Sequence, residues 1–283
     1  MEKYLKTCLV LNAGLIAYGA ACELQRRLVE ARKAGEIPDA LVYCEHPHVI
    51  TMGRNARESN LLASKRLLAQ RGVNLAQTDR GGDVTYHGPG QVVVYPILDL
   101  TDHRRDVRWY VEQLEEVMIR ATTDYGIEAK RSAAGHGVWV GSSSGVKTHE
   151  SPATDMSELK LRPPKNQADD SGEEKLGAIG VHLSRWVTSH GFAYNVATDL
   201  RYFDLIVPCG IQGKRATSLE RVLGRSVDSG EVRERLEARF AEVFELEMVP
   251  ISREKLFNAA GKVKVPGDPV YMAHAKVEIG SGA

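Results

Sequence analysis

The chain has 283 residues, of which 43% are hydrophobic and 26% charged, with 37 basic side chains balanced by 37 acidic ones. That length supports one large domain or two small ones with ample core. The even charge balance carries no electrostatic footprint for nucleic acid or an anionic membrane, and no apolar run approaches the roughly 20 residues of a membrane span.

Residues 5–12 read as a first strand, and residues 18–33 as a helix with Ala21, Leu24, Leu28 and Val29 on one face, closed by Gly35 and Pro38. The early apolar stretch lacks a small-residue cleavage site and runs into that amphipathic helix, which argues against a signal peptide. LVYCEHPHVITMG (41–53) is strand-like and bent at Pro47, and residues 63–71 form a short helix. The segment RGGDVTYHGPGQ (80–91) then abuts the buried-strand pattern VVVYPILDL. Glycine weakens a strand and proline blocks a ladder bond, so their density beside the core implies a sharp turn or a close approach of backbone to something.

Residues 106–126 carry Val107, Val111, Leu114, Met118 and Ala121 at helical spacing and end at Gly126. GVWV (137–140) is a short strand. Residues 141–174 are rich in Ser, Pro, Lys, Asp and Glu, and read as a disordered insertion, because they cannot bury enough surface to offset their ordering entropy. Core pattern resumes in KLGAIGVHL (175–183) and HGFAYNV (190–196), followed by helices at 218–224 and 232–246. The tail after Pro250 is weakly patterned. Strands interleaved with a few helices fit an α+β or α/β domain with a mixed sheet.

The four cysteines, Cys8, Cys22, Cys44 and Cys209, lie far apart without a CxxC pair, which suggests free thiols in a reducing compartment. Cys209 ends the apolar run DLIVPCGI, a pattern expected to put a thiol at a strand end on a tight turn. A buried structural cysteine is the commoner outcome; a nucleophile would need a cationic or basic neighbour to ionise it. Lys175 opens KLGAIG at the edge of a buried strand, where it is either an ordinary surface charge or a partner for such a thiol. His87 and His190 each precede glycine and suit either a site or a hydrogen-bonded structural role. Cys44, His46 and His48 alternate as metal ligands would, but Pro47 interrupts them and a fourth ligand is missing, so no metal site is assigned. Neither GxxxxGK[ST] nor GxGxxG occurs.

With RGGDVTYHGPGQVVVYPILDL, KLGAIGV, HGFAYNV and DLIVPCGI in this order, and EHPHVITMGR before them, the chain resembles the lipoyl(octanoyl) transferases. The likeness covers about residues 5–245 outside the insertion, and it implies the fold shared by lipoate- and biotin-protein ligases. It further implies a catalytic domain over residues 1–248, with a tail of unassigned role from 249 to 283. The activity implied is transfer of an octanoyl group from octanoyl-acyl carrier protein to a lysine of a lipoyl domain, such as those of 2-oxoacid dehydrogenase complexes or the glycine cleavage H protein. By that resemblance Cys209 carries the acyl-thioester and Lys175 activates it. Substrate contacts carried over are Arg80, Gly81, Gly82, Asp83, Val84, Thr85, Tyr86 and His87, then Ala178, Ile179 and Gly180, then Gly191, Phe192 and Ala193. The donor is already an activated thioester, so neither ATP, nor a metal, nor another cofactor is expected. Burying an eight-carbon chain at about 0.8 kcal/mol per CH2 would contribute several kcal/mol of affinity. A cytoplasmic location is expected from the lack of a targeting signal and from the family's bacterial members. Two rival readings are an ATP-dependent lipoate-protein ligase of the same superfamily, for which Cys209 would have no function, and a non-catalytic binder of acyl carrier or lipoyl domains.

Overall fold

Strand β1 (Lys6–Leu15) and helix α1 (Tyr18–Lys33) open the fold, and the helix buries Ala21, Leu24, Leu28 and Val29 at the spacing their sequence sets. The computed structural model describes residues 5–141, 172–210 and 213–260. The apolar stretch at 41–53 divides at His46–Pro47 into two strands, β2 (Asp39–Glu45) and β3 (Val49–Met52). These belong to different sheets, so the bend foreseen at Pro47 is a passage from one sheet to another.

After helix α2 (Lys65–Gln70) come β4 (Asn74–Gln77), β5 (Val84–His87) and β6 (Gln91–Ile97). Helix α3 (Val107–Thr123) starts where Asp106 accepts a bond from Trp109 N at 3.1 Å. The remaining strands are β7 (Ala129–Ser132), β8 (Gly135–Gly141), β9 (Glu173–Ser184), β10 (Val187–Asn195), β11 (Arg215–Ala216) and β12 (Leu246–Pro250). Helices α4 (Leu219–Leu223), α5 (Ser229–Phe244) and α6 (Arg253–Ala260) complete the described chain.

The larger sheet runs β12-β1-β2-β6-β10-β9-β8-β7, with β11 alongside β9; the smaller runs β4-β3-β5. β1 is parallel to both β12 and β2, whereas β2, β6, β10, β9, β8 and β7 pair antiparallel in succession, making the expected mixed sheet. Alternation divides the core. Leu41, Tyr43, Val92 and Val94 face α3 and α5, while Val42, Cys44, Val93 and Tyr95 face α1 and α6. A third core lies on the small sheet, where Ile50, Val84 and Tyr86 meet Leu205 and Ile206.

One expectation needs correction. DLIVPCGI does not end a strand: Leu200–Leu205 is a 3-10 helix, Ile206 is extended in an isolated bridge to Leu61, and Pro208–Gly210 is a further 3-10 turn. Asp199 caps the first of these by accepting from Arg201 N at 3.0 Å, and the apolar run packs flat on the small sheet instead of extending a ladder. A short apolar run has the same composition in either role. In the tail, β12 runs through Pro250, and α6 drives Leu256, 1% exposed, into the core beside α1. Most of the expected insertion, at 142–171, and the chain from 261 onward lie outside the described residues.

Leu256→Ala should therefore cost roughly 2–5 kcal/mol of unfolding free energy. Urea denaturation would check this, and a change below about 0.5 kcal/mol would place α6 outside the cooperative unit.

Candidate functional site

Most of the expected site residues line one cavity of about 320 Å³ beside the small sheet, which Tyr18 of α1 and Val111 of α3 also reach. Arg80, Gly81, Gly82 and Asp83 form its rim, and Thr85 and His87 project from β5. Ala178, Ile179 and Gly180 come from β9, and Gly191, Phe192 and Ala193 from β10. Val84 and Tyr86 do not face it; on a strand alternate residues oppose one another, and these two fill the small sheet's core.

The RGGD segment is held down by backbone. Gly81 N donates to Val181 O at 2.8 Å, and Arg54 N and Asn55 N donate to Arg80 O and Gly82 O at 3.0 and 3.1 Å. A Cβ at Gly180 would sit 3.0 Å from both Arg80 Cδ and Gly81 O, so glycine there lets the loop lie on β9. Arg80 is buried and donates to Thr51 O and Thr51 Oγ1, both at 2.8 Å. Gly191 has a different cause: an added Cβ would strike Val94 O at 2.2 Å and Pro96 Cδ at 2.5 Å, both on the adjoining strand.

Lys175 is buried on β9, its Nζ 5.0 Å from the centre of the Trp139 ring. It lines the large cavity and also a water-sized cleft of about 20 Å³ that it shares with Trp139, Phe203 and Pro208. Cys209 follows Pro208 in the single turn Pro208–Gly210; of Cys209 only the backbone is described. That turn hangs from the RGGD loop. Asp83 Oδ2 accepts from Asn60 Nδ2 at 2.6 Å, Val207 N donates to Asn60 O at 2.7 Å, and a Cβ on Gly210, whose φ is +68°, would lie 2.6 Å from Asp83 Oδ2.

Sequence reasoning missed the polar chain that joins the two halves of this site. His87 Nδ1 lies 2.7 Å from Gln91 Oε1; Gln91 Nε2 donates to Asn195 Oδ1 at 2.8 Å and to Tyr86 O at 3.3 Å. Asn195 Nδ2 donates to Thr217 O at 3.0 Å, and Thr217 N donates to Lys175 O at 2.9 Å. Because the Gln91 amide spends its N–H groups on acceptors, its oxygen must receive the proton of His87 Nδ1, which leaves Nε2 as the lone-pair nitrogen. The signal was present as two polar residues, Gln91 and Asn195, beside the apolar runs VVVYPI and FAY. Tyr18, stacked on His87 at 6.0 Å, was also missed.

Burial pushes the His87 imidazole down to about 3, aided by the neighbouring His46 and opposed by its bond to Gln91. Burial also lowers His46 and His190, the latter despite the Asp79 carboxylate 2.7 Å away. His46 uses both nitrogens, on Ile16 O and Tyr95 Oη at 2.7 Å each, while His48 binds Tyr86 Oη in the small sheet. Cys44 and His46 thus stay together, Sγ 3.6 Å from Nε2, while His48 serves the small sheet, and no group of metal-ligating side chains is found among the described residues. No helix among them is long and apolar enough to cross a membrane.

A protein-family model described as the lipoyl protein ligase A/B catalytic domain matches residues 17–241. The chain is 47% identical over 246 residues to a protein of Solibacter usitatus named octanoyltransferase, covering 87% of this chain and 97% of that one. A second octanoyltransferase, from Koribacter versatilis, is 46% identical over 237 residues and covers 83% of each chain. Among solved structures, a bi-partite lipoate protein ligase from Thermoplasma acidophilum superposes with a TM-score of 0.64 at 14% identity, over 92% of both chains. A lipoate-protein ligase A bound with ATP gives 0.61 at 16% identity, over 92% of this chain and 94% of that one. At such identity the structures establish a shared fold.

The buried histidine makes the fold acid-sensitive. An unfolded histidine binds a proton near pH 6.5, whereas folded His87 stays neutral down to about pH 3. The unfolded state therefore holds more protons in that window, and stability falls as pH is lowered through it. His87→Gln should reduce the slope of unfolding free energy between pH 4 and 6 by about one proton, about 1.4 kcal/mol per pH unit. Urea titrations at several pH values read this; an unaltered slope would contradict a neutral buried His87.

Proposed function

Because the chain belongs to the lipoyl protein ligase A/B catalytic-domain family, we propose that it is an octanoyltransferase of protein lipoylation, taking octanoyl from acyl carrier protein and passing it through Cys209 to a lipoyl-domain lysine. The observation that carries this reading is the placement of Lys175: it belongs both to the wall of the large cavity and to the cleft lined by Pro208, the residue before Cys209. Relatives at 46–47% identity bearing the name octanoyltransferase support the same reading.

The cavity's size and its apolar wall of Val93, Ala178, Ile179, Phe192 and Ala193 suit an alkyl chain. In the first half-reaction the Cys209 sulfur, as thiolate, attacks the donor's thioester carbonyl. The carbonyl π pair moves onto oxygen, where backbone N–H groups of the glycine-rich turns stabilise it. The tetrahedral adduct collapses, the C–S bond to the carrier breaks, and the carrier thiol leaves with a proton. In the second half a neutral lysine amine of the acceptor attacks the new thioester, and loss of a proton and of the Cys209 sulfur yields the amide. Lys175 assists ionisation of the thiol, as the base that takes its proton or the cation beside the thiolate. The polar chain from His87 to the Lys175 carbonyl keeps the donor pocket and the lysine in one frame. The acceptors on this reading are lipoyl domains of 2-oxoacid dehydrogenase complexes and the glycine cleavage H protein, and the reaction is cytoplasmic.

Incubating the protein with octanoyl-acyl carrier protein, without ATP, should give a covalent octanoyl adduct by intact mass and then transfer to a lipoyl domain. Cys209→Ala should form no adduct, and Lys175→Gln should slow adduct formation about 10²- to 10⁴-fold. An adduct on Cys209→Ala, or transfer only from free octanoate with ATP, would replace this mechanism with another.

A further inference from the structure

The cavity has a defined length. Lys175 Cε lies 2.8 Å from where a Cβ of Gly137 would stand, and Gly137 pairs with Ala178, so the lysine's chain ends near the Ala178–Ala193 pair. Three residues further along the two strands, Val181 pairs with His190. Three strand residues span about 10 Å, close to the reach of an extended eight-carbon chain. His190 lines the cavity at that end, its ring edge-on to Tyr95 with centroids 6.4 Å apart.

His190 does not reach this position as an ordinary strand residue. Its partner Val181 packs toward the α3–α5 side, whereas Tyr95, which the His190 ring meets, belongs to the α1 side. The backbone turns the ring across the sheet by adopting φ +56°, a left-handed conformation unfavourable for a residue with a Cβ. Two bonds hold it there. His190 N donates to Gln25 Oε1 at 2.7 Å, and the ring Nε2 lies 2.7 Å from Asp79 Oδ1. Gln25 is 3% exposed and its Nε2 has no partner among the described residues, so one half of a buried amide is committed to this task while the other is unsatisfied. The Asp79 side chain is 65% exposed, so the ring stands between the cavity and solvent. A strained backbone and an orphaned amide together fix one ring at this end of the cavity.

Resting on the octanoyl-transfer reading, we propose that His190 is a specificity-determining residue: its ring, latched by Gln25 and Asp79, ends the acyl cavity and sets the chain length the protein accepts. The test is substitution by glycine, which adopts φ +56° without strain, keeps the N–H toward Gln25 and removes the ring. The kcat/KM for transfer would be measured on the full chain with octanoyl-, decanoyl- and dodecanoyl-acyl carrier protein. His190→Gly should raise the dodecanoyl-to-octanoyl ratio of kcat/KM at least tenfold. His190→Asn, a shorter side chain that tolerates left-handed backbone, should raise it by less. An equal loss at all three lengths, or an unchanged ratio in both variants, would reduce His190 to a structural residue and overturn the proposal. Wild-type protein that transfers none of the three overturns the octanoyl-transfer reading and this proposal with it, whereas wild-type transfer with an unchanged variant profile removes this proposal alone.

Discussion

One backbone hydrogen bond, from Gly81 N to Val181 O at 2.8 Å, brings the small sheet down onto the large one. Gly180 eases it, since a Cβ there would stand 3.0 Å from Gly81 O in the loop that crosses it. The cavity is what remains beneath that crossing, roofed by β5 and floored by β10 and β6. Its dimensions are therefore set by a backbone-to-backbone contact, which deforms far less than the rotamers of side chains meeting across a gap. The turn carrying Cys209 is fastened to the same loop through Asp83 and Asn60, so the pocket and that turn share one support.

A second constraint crosses the large sheet. His87, Gln91, Asn195 and Thr217 pass hydrogen bonds in sequence to the backbone of Lys175. Buried polar groups of this kind are costly when unsatisfied and rigid when paired, and here each link is made through the Thr217 backbone, while Thr217 Oγ1 has no partner among the described residues. Neutral His87 is part of that arrangement: a charged imidazole in so dry a place would need a counter-charge, and its neighbours Tyr18 and His46 offer none.

Much of the fold was legible because it follows hydrophobic periodicity. Helices α1 and α3 and strands β2, β6, β9 and β10 lie close to where their spacing put them. What escaped was set by neighbours distant in sequence. DLIVPCGI has a strand's composition, yet it wraps the small sheet because Leu62 N and Ala63 N both donate to Leu205 O. β5 was hidden inside a glycine-rich motif, and its four residues are extended only because β3 stands ready to pair with them. In the site, the glycines were legible as places of close approach, but their reasons differ: Gly180 yields to Arg80 and Gly81, whereas Gly191 yields to Pro96 on the next strand. Tyr18 could not be found from a motif, since it reaches the cavity from the first turn of a helix whose apolar face packs into the core.

The pairing of β1 with β12 bears on how this chain acquires its structure during synthesis. Lys6 aligns with Leu246 and Val10 with Pro250, so one side of β1 waits for a strand made some 240 residues later. Until then that side offers unsatisfied amides and carbonyls to any extended segment nearby. At ribosomal speeds of about 5–20 residues per second the wait lasts many seconds. The order of translation thus makes the first strand a vulnerable edge in the nascent chain and an interior strand in the finished one, and closure of the large sheet must be among the last events of folding.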